Sequence, residues 1–322
     1  MKDVMFITWE KHQRTRSFCE KLSINLFELV SANRGMARYV ENLKKTFGLL
    51  VANKPKVLFV QNPSIVLAAF VVCLKPFLGY RLIVDAHNQA IIPFVHDKWI
   101  IRVISRWVIR CSQATIVTNS MLAEKVISYG GNPIVFPDLL PNVACRKALT
   151  MPSAGEPFLV TLISTYAKDE PYEEVFQAIS ALGSTFKMCV TGKVPASLDR
   201  QKIPANVELM GFLSHSEYWE LLYRSHLVID LSTMQNCLVC GAYESLAIEK
   251  PMLLSANPAS ISLFGDYAEH VSNSSDAIQS GIKKIVADYD ELATKIALAK
   301  QQFLLREQQA IKEMVQYISN PE

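Results

Sequence analysis

The sequence is short of several things that would have settled its class. No apolar run approaches the roughly 20 residues that a membrane-spanning helix needs. The longest, 65–74, is closed by Lys75 and Pro76, so no transmembrane helix is expected. The opening stretch lacks the unbroken apolar segment of a secretory signal, because Glu10 and Lys11 interrupt it, and no export is expected. Seven cysteines, odd in number and scattered, do not resemble the dense framework of a small secreted domain, and a reducing cytoplasm fits them better. There is no internal repeat, no low-complexity tract and no recognition motif for nucleic acid, so nucleic acid is not expected as a partner. Charged residues make up only 20% of the chain against 50% hydrophobic, a balance that excludes disorder.

At 322 residues the chain exceeds one compact domain of ordinary size, which predicts two lobes. Net charge divides the same way. Residues 1–150 hold 20 Lys and Arg against 9 Asp and Glu, whereas the remainder holds 13 against 21. A basic first half suits an anionic partner such as phosphate, nucleic acid or a lipid headgroup surface.

Short β-rich apolar runs at 4–8, 24–30, 57–61, 81–85 and 114–118 alternate with helix-like segments at 15–22, 35–52, 64–77, 99–111 and 121–129. Strand and helix in steady succession, with strands apolar enough for burial on both faces, predict a parallel sheet covered by helices. Periodicity fades over 133–157, where five prolines gather, as in an interdomain connection. A second lobe follows, with strands at 158–164, 186–191, 207–210, 227–231 and 252–255, helices at 172–182, 216–223 and 242–249, and a long helical region over 276–318. The expected fold is α/β, with two Rossmann-like doubly wound parallel-sheet domains facing a cleft, the first over 1–150 and the second over 151–322. Where the strand ends of two such lobes face a cleft, open sheets place ligands.

Residues 206–255 bring this expectation to particular positions. Gly211 and Phe212 end a strand, a short helix follows at 216–223, a strand closes at Leu231 and Ser232, Gly241 stands in a loop, and Glu244 with Ser245 opens a helix before Lys250 and Pro251. In order and spacing this stretch resembles the donor lobe of GT-B glycosyltransferases. The resemblance implies transfer of a sugar from a UDP- or GDP-sugar, with no further cofactor. A glycine-bearing loop entering a helix turns backbone N–H groups toward a diphosphate, and Glu244 can accept hydrogen bonds from two ribose hydroxyls. Glu244 can equally act only on the helix dipole. The family often carries a second glutamate eight positions earlier; this chain has Asn236 there, a sugar contact or plain loop polarity, and this leaves the sugar and the stereochemical outcome open. The turn holding Ser164, Thr165 and Lys168 resembles that of mannosyltransferases acting on lipid-linked chitobiose. Lys168 there, and Lys193 in the separate turn Thr191–Gly192–Lys193, are candidate cations for a leaving diphosphate, so no metal is expected; each lysine can instead be simply solvated.

In the first lobe a strand ends in Asp85, Ala86, His87 and Asn88, again resembling those mannosyltransferases. The likeness implies that His87 holds a donor-sugar hydroxyl and that Asp85 serves as general base if the anomeric centre inverts; capping of the strand is the plain alternative. Trp9, His12, Arg14 and Arg16 follow the opening strand, where they suit a phosphorylated acceptor and a sugar-stacking face, or form a solvated basic loop. The run KWIIRVISRWVIR spaces Lys98, Arg102, Arg106 and Arg110 by four, the look of a basic amphipathic helix on an anionic bilayer or of an ordinary surface helix. Cys237 and Cys240 lack two further ligands for zinc and read as buried thiols. These readings converge on a peripheral enzyme at the cytoplasmic face of a membrane, with a polyprenyl-linked, polysaccharide or glycolipid acceptor. A nucleotide-sugar epimerase and a catalytically idle GT-B scaffold stay open beside it.

Overall fold

The structure, a computed structural model, describes residues 3–62, 64–86, 88–91, 99–144, 146, 151–153 and 155–320. It divides into two compact units, one holding Met1–Leu139 with Arg306–Glu322, the other Leu140–Leu305.

The first unit runs β1 (Val4–Thr8), α1 (Gln13–Leu22), β2 (Asn25–Glu28), α2 (Gly35–Asn53), β3 (Val57–Asn62), α3 (Ile65–Leu78), β4 (Arg81–Ala86), α4 (Asn88–Ile91), α5 (Trp99–Cys111), β5 (Ala114–Val117), α6 (Ser120–Ser128) and β6 (Pro133–Val135). Among the described residues its strands form one parallel sheet in the order β2-β1-β3-β4-β5-β6. The central strands are apolar throughout because both faces are covered. Leu58, Val60, Leu82 and Val84 pack with Leu50, Leu67, Val71 and Val108 of α2, α3 and α5. The alternate residues Phe59 and Ile83 pack on the other side with Phe18 and Leu22 of α1.

The second unit runs β7 (Phe158–Leu162), α7 (Tyr172–Leu182), β8 (Phe186–Thr191), β9 (Val207–Gly211), α8 (His215–Arg224), β10 (Leu227–Asp230), α9 (Cys240–Ala247), β11 (Met252–Ser255), α10 (Pro258–Phe264), β12 (Glu269–Val271) and α11 (Ser275–Ala287), followed by α12 (Tyr289–Ser319). Its sheet is again parallel, ordered β12-β11-β10-β7-β8-β9. Helix starts are set by side-chain caps where the sequence provides them. Ser214 and Glu217 form a reciprocal capping box on α8, and Asn257 caps α10 just ahead of Pro258. The chain moves outward from β7 through β8 to β9 and then returns to place β10 against β7, so the reversal of strand order lies between β7 and β10.

Two boundaries differ from the sequence expectation. The division falls at Leu139 rather than near 150, because the proline-rich segment begins with β6, a three-residue edge strand whose first residue is Pro133. Proline is tolerated at that place in a sheet and hides the strand from pattern reading. The end of the chain, expected in the second lobe, belongs to the first unit: Met314 and Ile318 lie in its core with Phe18 and Phe59. Truncating Met314, which is 1% exposed, tests this placement. Met314→Ala should cost about 3 kcal/mol, with faster hydrogen exchange at the amides of β1 and β3 and unchanged exchange at β10.

Candidate functional site

In the second unit the chemistry-bearing side chains gather where β7 and β10 end, beside the reversal of strand order, the place where open α/β sheets leave a crevice for ligands. Gly241 sits in the first turn of α9, and there is no room for anything larger. The Cβ of an alanine would stand 2.5 Å from Asp230 Oδ2 and 2.6 Å from Ile163 Cδ1. The Gly241 N–H donates to Asp230 Oδ2 at 2.8 Å. This N–H, expected to face a diphosphate, therefore already holds a carboxyl of the same chain. Burial pushes the Asp230 carboxyl well above the usual carboxylate range, against the Gly241 N–H, which lowers it; Glu244, Glu170 and Asp169 add to the rise.

One turn further on, Glu244 is half-buried and accepts a hydrogen bond from the Tyr218 hydroxyl on α8. Burial raises its pKa and the Tyr218 hydroxyl opposes the rise. Asp230 and Tyr218 escaped the sequence reading. The available signal was an acid closing the apolar strand Leu227–Asp230, followed eleven residues later by a glycine; the Tyr218 contact spans 26 residues and two helices and has no local mark.

Several expected donor contacts prove to be engaged within the chain. Ser245 is fully buried and its hydroxyl turns back to the Gly241 carbonyl at 2.6 Å, a correction to its expected ligand role. Ser164 Oγ, Thr165 N and Thr165 Oγ1 all donate to the carboxylate of Glu170, at 2.7, 2.8 and 2.7 Å. The turn expected to offer hydroxyls to a diphosphate is thus wound around an acid of its own. Asp169 ties the same turn to the exit of β10, accepting from Ser232 Oγ at 2.7 Å.

The two candidate lysines fare differently. The loops after β7 and β8 are pressed together, since a Cβ on Gly192 (φ +97°) would lie 2.0 Å from the Ser164 carbonyl oxygen. Lys168 and Lys193 ride on these touching loops, both exposed and, among the described residues, without an ion-pair partner. Gly211 takes φ +70° as β9 ends, and the Phe212 ring beside it is 87% exposed, a free aromatic face for stacking. Asn236 adopts φ +56° and lines a pocket of about 620 Å³ at the exits of β10, β11 and β12, together with Ser232, Ser255 and Asn273. Cys237 is half-buried and Cys240 exposed, which corrects the reading of both as buried thiols.

In the first unit Asp85 ends β4 with 2% of its side chain exposed. Arg14 lies between Asp85 and Asp138, at 3.2 and 2.8 Å. A carboxylate in this setting is a structural anchor rather than the open general base expected, and Arg14 is committed to the same pairing. Trp9, expected as a sugar-stacking face, is 1% exposed with its indole N–H on Thr46 Oγ1 at 3.0 Å; the alternation of β1 carries it inward. His12 is largely buried, and burial lowers its pKa against the pull of Asp85. Arg16 forms a two-point pair with Glu28, at 2.8 and 2.7 Å. Among the described residues, neither the oxygen nor the nitrogen of the Asn62 amide, buried at the end of β3, has a hydrogen-bond partner. His87 and Lys98 lie outside the described residues. Arg102, Arg106 and Arg110 lie on α5 and are exposed.

No protein-family model matches the chain and no curated protein matches its sequence. Solved structures do. Sucrose-phosphate synthase from Thermosynechococcus elongatus is similar at 11% identity and a TM-score of 0.76, over 98% of this chain and 95% of that one. HepE from Anabaena, solved with UDP and glucose, is similar at 12% identity and a TM-score of 0.74, over the whole of both chains. The chain has a GT-B fold. The lipopolysaccharide outer core galactosyltransferase WaaB, at 10% identity and a TM-score of 0.66 over 97% and 99% of the two chains, shares it. Within this GT-B fold, Asp230 with the Gly241 N–H and Glu244 with the Tyr218 hydroxyl form a polar cluster at the start of α9.

Asp230 gives the cluster a pH signature. Its folded pKa lies above the unfolded value of about 4, so the folded chain keeps a proton that the unfolded chain releases, and stability falls as pH rises from about 4 toward the folded value. Asp230→Asn removes that dependence. In urea unfolding the variant should gain on the parent chain by up to about 1.4 kcal/mol per pH unit across this window; parallel pH profiles would contradict the assignment.

Proposed function

We propose that the chain is a glycosyltransferase acting on a nucleoside-diphosphate sugar, with the donor held at the exit of β10. The observation that carries the reading is Glu244, one turn below the close-packed Gly241 and beside the reversal between β7 and β10. Its carboxylate is oriented by Tyr218 through one oxygen, and the other is available to the paired hydroxyls of a ribose. Lys168 and Lys193 supply positive charge for the diphosphate from the neighbouring strand exits, and Phe212 offers a stacking face to the base. That HepE was solved with UDP and with UDP-glucose supports UDP as the first nucleotide to test.

In the reaction an acceptor hydroxyl oxygen bonds to the anomeric carbon of the sugar. The bond from that carbon to the phosphate oxygen breaks, the nucleoside diphosphate leaves with the electron pair, and the hydroxyl proton passes to a base or to the departing phosphate. We assign the acceptor to a membrane-associated glycan or lipid-linked sugar and the chain to the cytoplasmic face of that membrane. The basic helix α5 and the surplus of Lys and Arg in the first 150 residues support this.

Thermal shift against a panel of UDP- and GDP-sugars identifies the donor, since a ligand at 100 times its Kd stabilises the folded chain by about 2.7 kcal/mol. With that donor in calorimetry, Glu244→Ala should weaken binding at least tenfold, and unchanged affinity would contradict the proposal. Tyr218→Phe removes the hydrogen bond that holds the Glu244 pKa down, so the rise of donor affinity with pH should move to higher pH. Conversion of the sugar nucleotide to its epimer with no acceptor present would overturn transfer in favour of epimerisation.

A further inference from the structure

The outer surface of the first unit carries an apolar layer that, among the described residues, no other element covers. Helices α2, α3 and α5 lie on one face of the first sheet, with α3 against both of the others. Each turns a second apolar stripe outward. On α2 the buried stripe is Asn42, Thr46 and Leu50, whereas Met36, Val40 and Phe47 are exposed, Met36 at 76%. On α3 the exposed pair is Val66 and Phe77, the latter at 83%. On α5 Ser105, Val108 and Ile109 face inward while Trp99, Val103 and Trp107 face out, Trp99 at 74%.

Charge says what covers this layer. The three helices carry seven Lys and Arg against a single acid, Glu41, which is paired with Lys45; Arg38 pairs with Glu10 outside them, and positive charge stays in excess on this face. The Arg106 guanidinium lies over the Tyr129 ring, 4.8 Å from its centroid, and Arg110 Nε donates to the Tyr129 carbonyl at 2.7 Å. Neither contact neutralises the charge, and among the described residues neither arginine meets a carboxylate. A second copy seated on this face would set arginine against arginine. An anionic bilayer matches both the apolar and the basic groups, with tryptophans at the depth they prefer.

We propose that α2, α3 and α5 together form a docking face for anionic phospholipid, a face that rests on the membrane-side reading above and gives it a surface. All three helices start from the strand-exit end of the sheet, so Met36, Val66 and Trp99 lie toward the same end as Asp85. Docking through them holds that end of the first unit close to the lipid headgroups, where a lipid-borne acceptor is presented.

Co-sedimentation of the full chain with vesicles tests this without nucleotide or acceptor, so its outcome is independent of donor binding. Vesicles of 3:1 phosphatidylcholine to phosphatidylglycerol should bind at least tenfold more tightly than pure phosphatidylcholine, and less tightly as salt rises. Trp99→Glu and Met36→Glu should each weaken binding about tenfold with unchanged thermal melting, and each of Arg106→Gln and Arg110→Gln about fivefold. Brominated lipid should quench tryptophan fluorescence in the parent chain. Equal binding to both vesicle types overturns the proposal. So does wild-type binding by Met36→Glu, which would remove α2 from the face. A concentration-dependent dimer abolished by Trp99→Glu would assign the face to a second copy instead.

Discussion

The close contact between Gly241 and Asp230 sets the turn from β10 into α9, and the candidate donor site follows from it. With no Cβ on Gly241 the helix start can press against Ile163 and the Asp230 carboxyl, and the N–H bond fixes its rotation. That rotation brings Glu244 to Tyr218. A half-buried acid held by a backbone N–H, with a second acid one turn away, costs stability at neutral pH unless protons are retained. Arrangements of this kind, where environment displaces titration from its ordinary range, gather at functional sites.

The two units treat charge in opposite ways. In the second, the acids at the strand exits are absorbed by internal donors: Glu170 by the Ser164 and Thr165 turn, Asp169 by Ser232, Asp230 by Gly241. Lys168 and Lys193 remain exposed beside them, so in the proposed function a diphosphate would meet lysine before a free carboxylate. In the first unit the pairing of Arg14 with Asp85 and Asp138 buries opposite charges together. Breaking such a pair leaves one charge buried without compensation, which suits a rigid anchor at the end of β4 better than a base that must lose and regain a proton.

Much of the fold was legible because burial on both faces writes itself into the strands. The runs at Val57–Asn62 and Arg81–Ala86 are apolar on alternate residues toward both helix layers, and their shortness between longer helical segments marks them as strands. The short edge strands β6 and β12 were missed because three residues carry no period, and β6 in addition opens on Pro133. The C-terminal helix was recognised but not its destination, since an apolar stripe does not say which core it fills. The site was half legible. Gly241 and Glu244 announce themselves by their place in a strand, loop and helix succession. Trp9 misled because an indole at a strand exit looks like a stacking face until the alternation of β1 sends it to Thr46. Tyr218 could not be read at all, because its partner lies in another helix.

The central claim is that a nucleoside diphosphate is held where β10 turns into α9. Hydrogen exchange of the full chain, with and without saturating UDP or the donor found by screening, measures this most directly. The account predicts ligand-dependent protection of the amides over 239–248 and of the turn at 164–170. Protection confined to other segments, or none under conditions where the ligand binds, would contradict it.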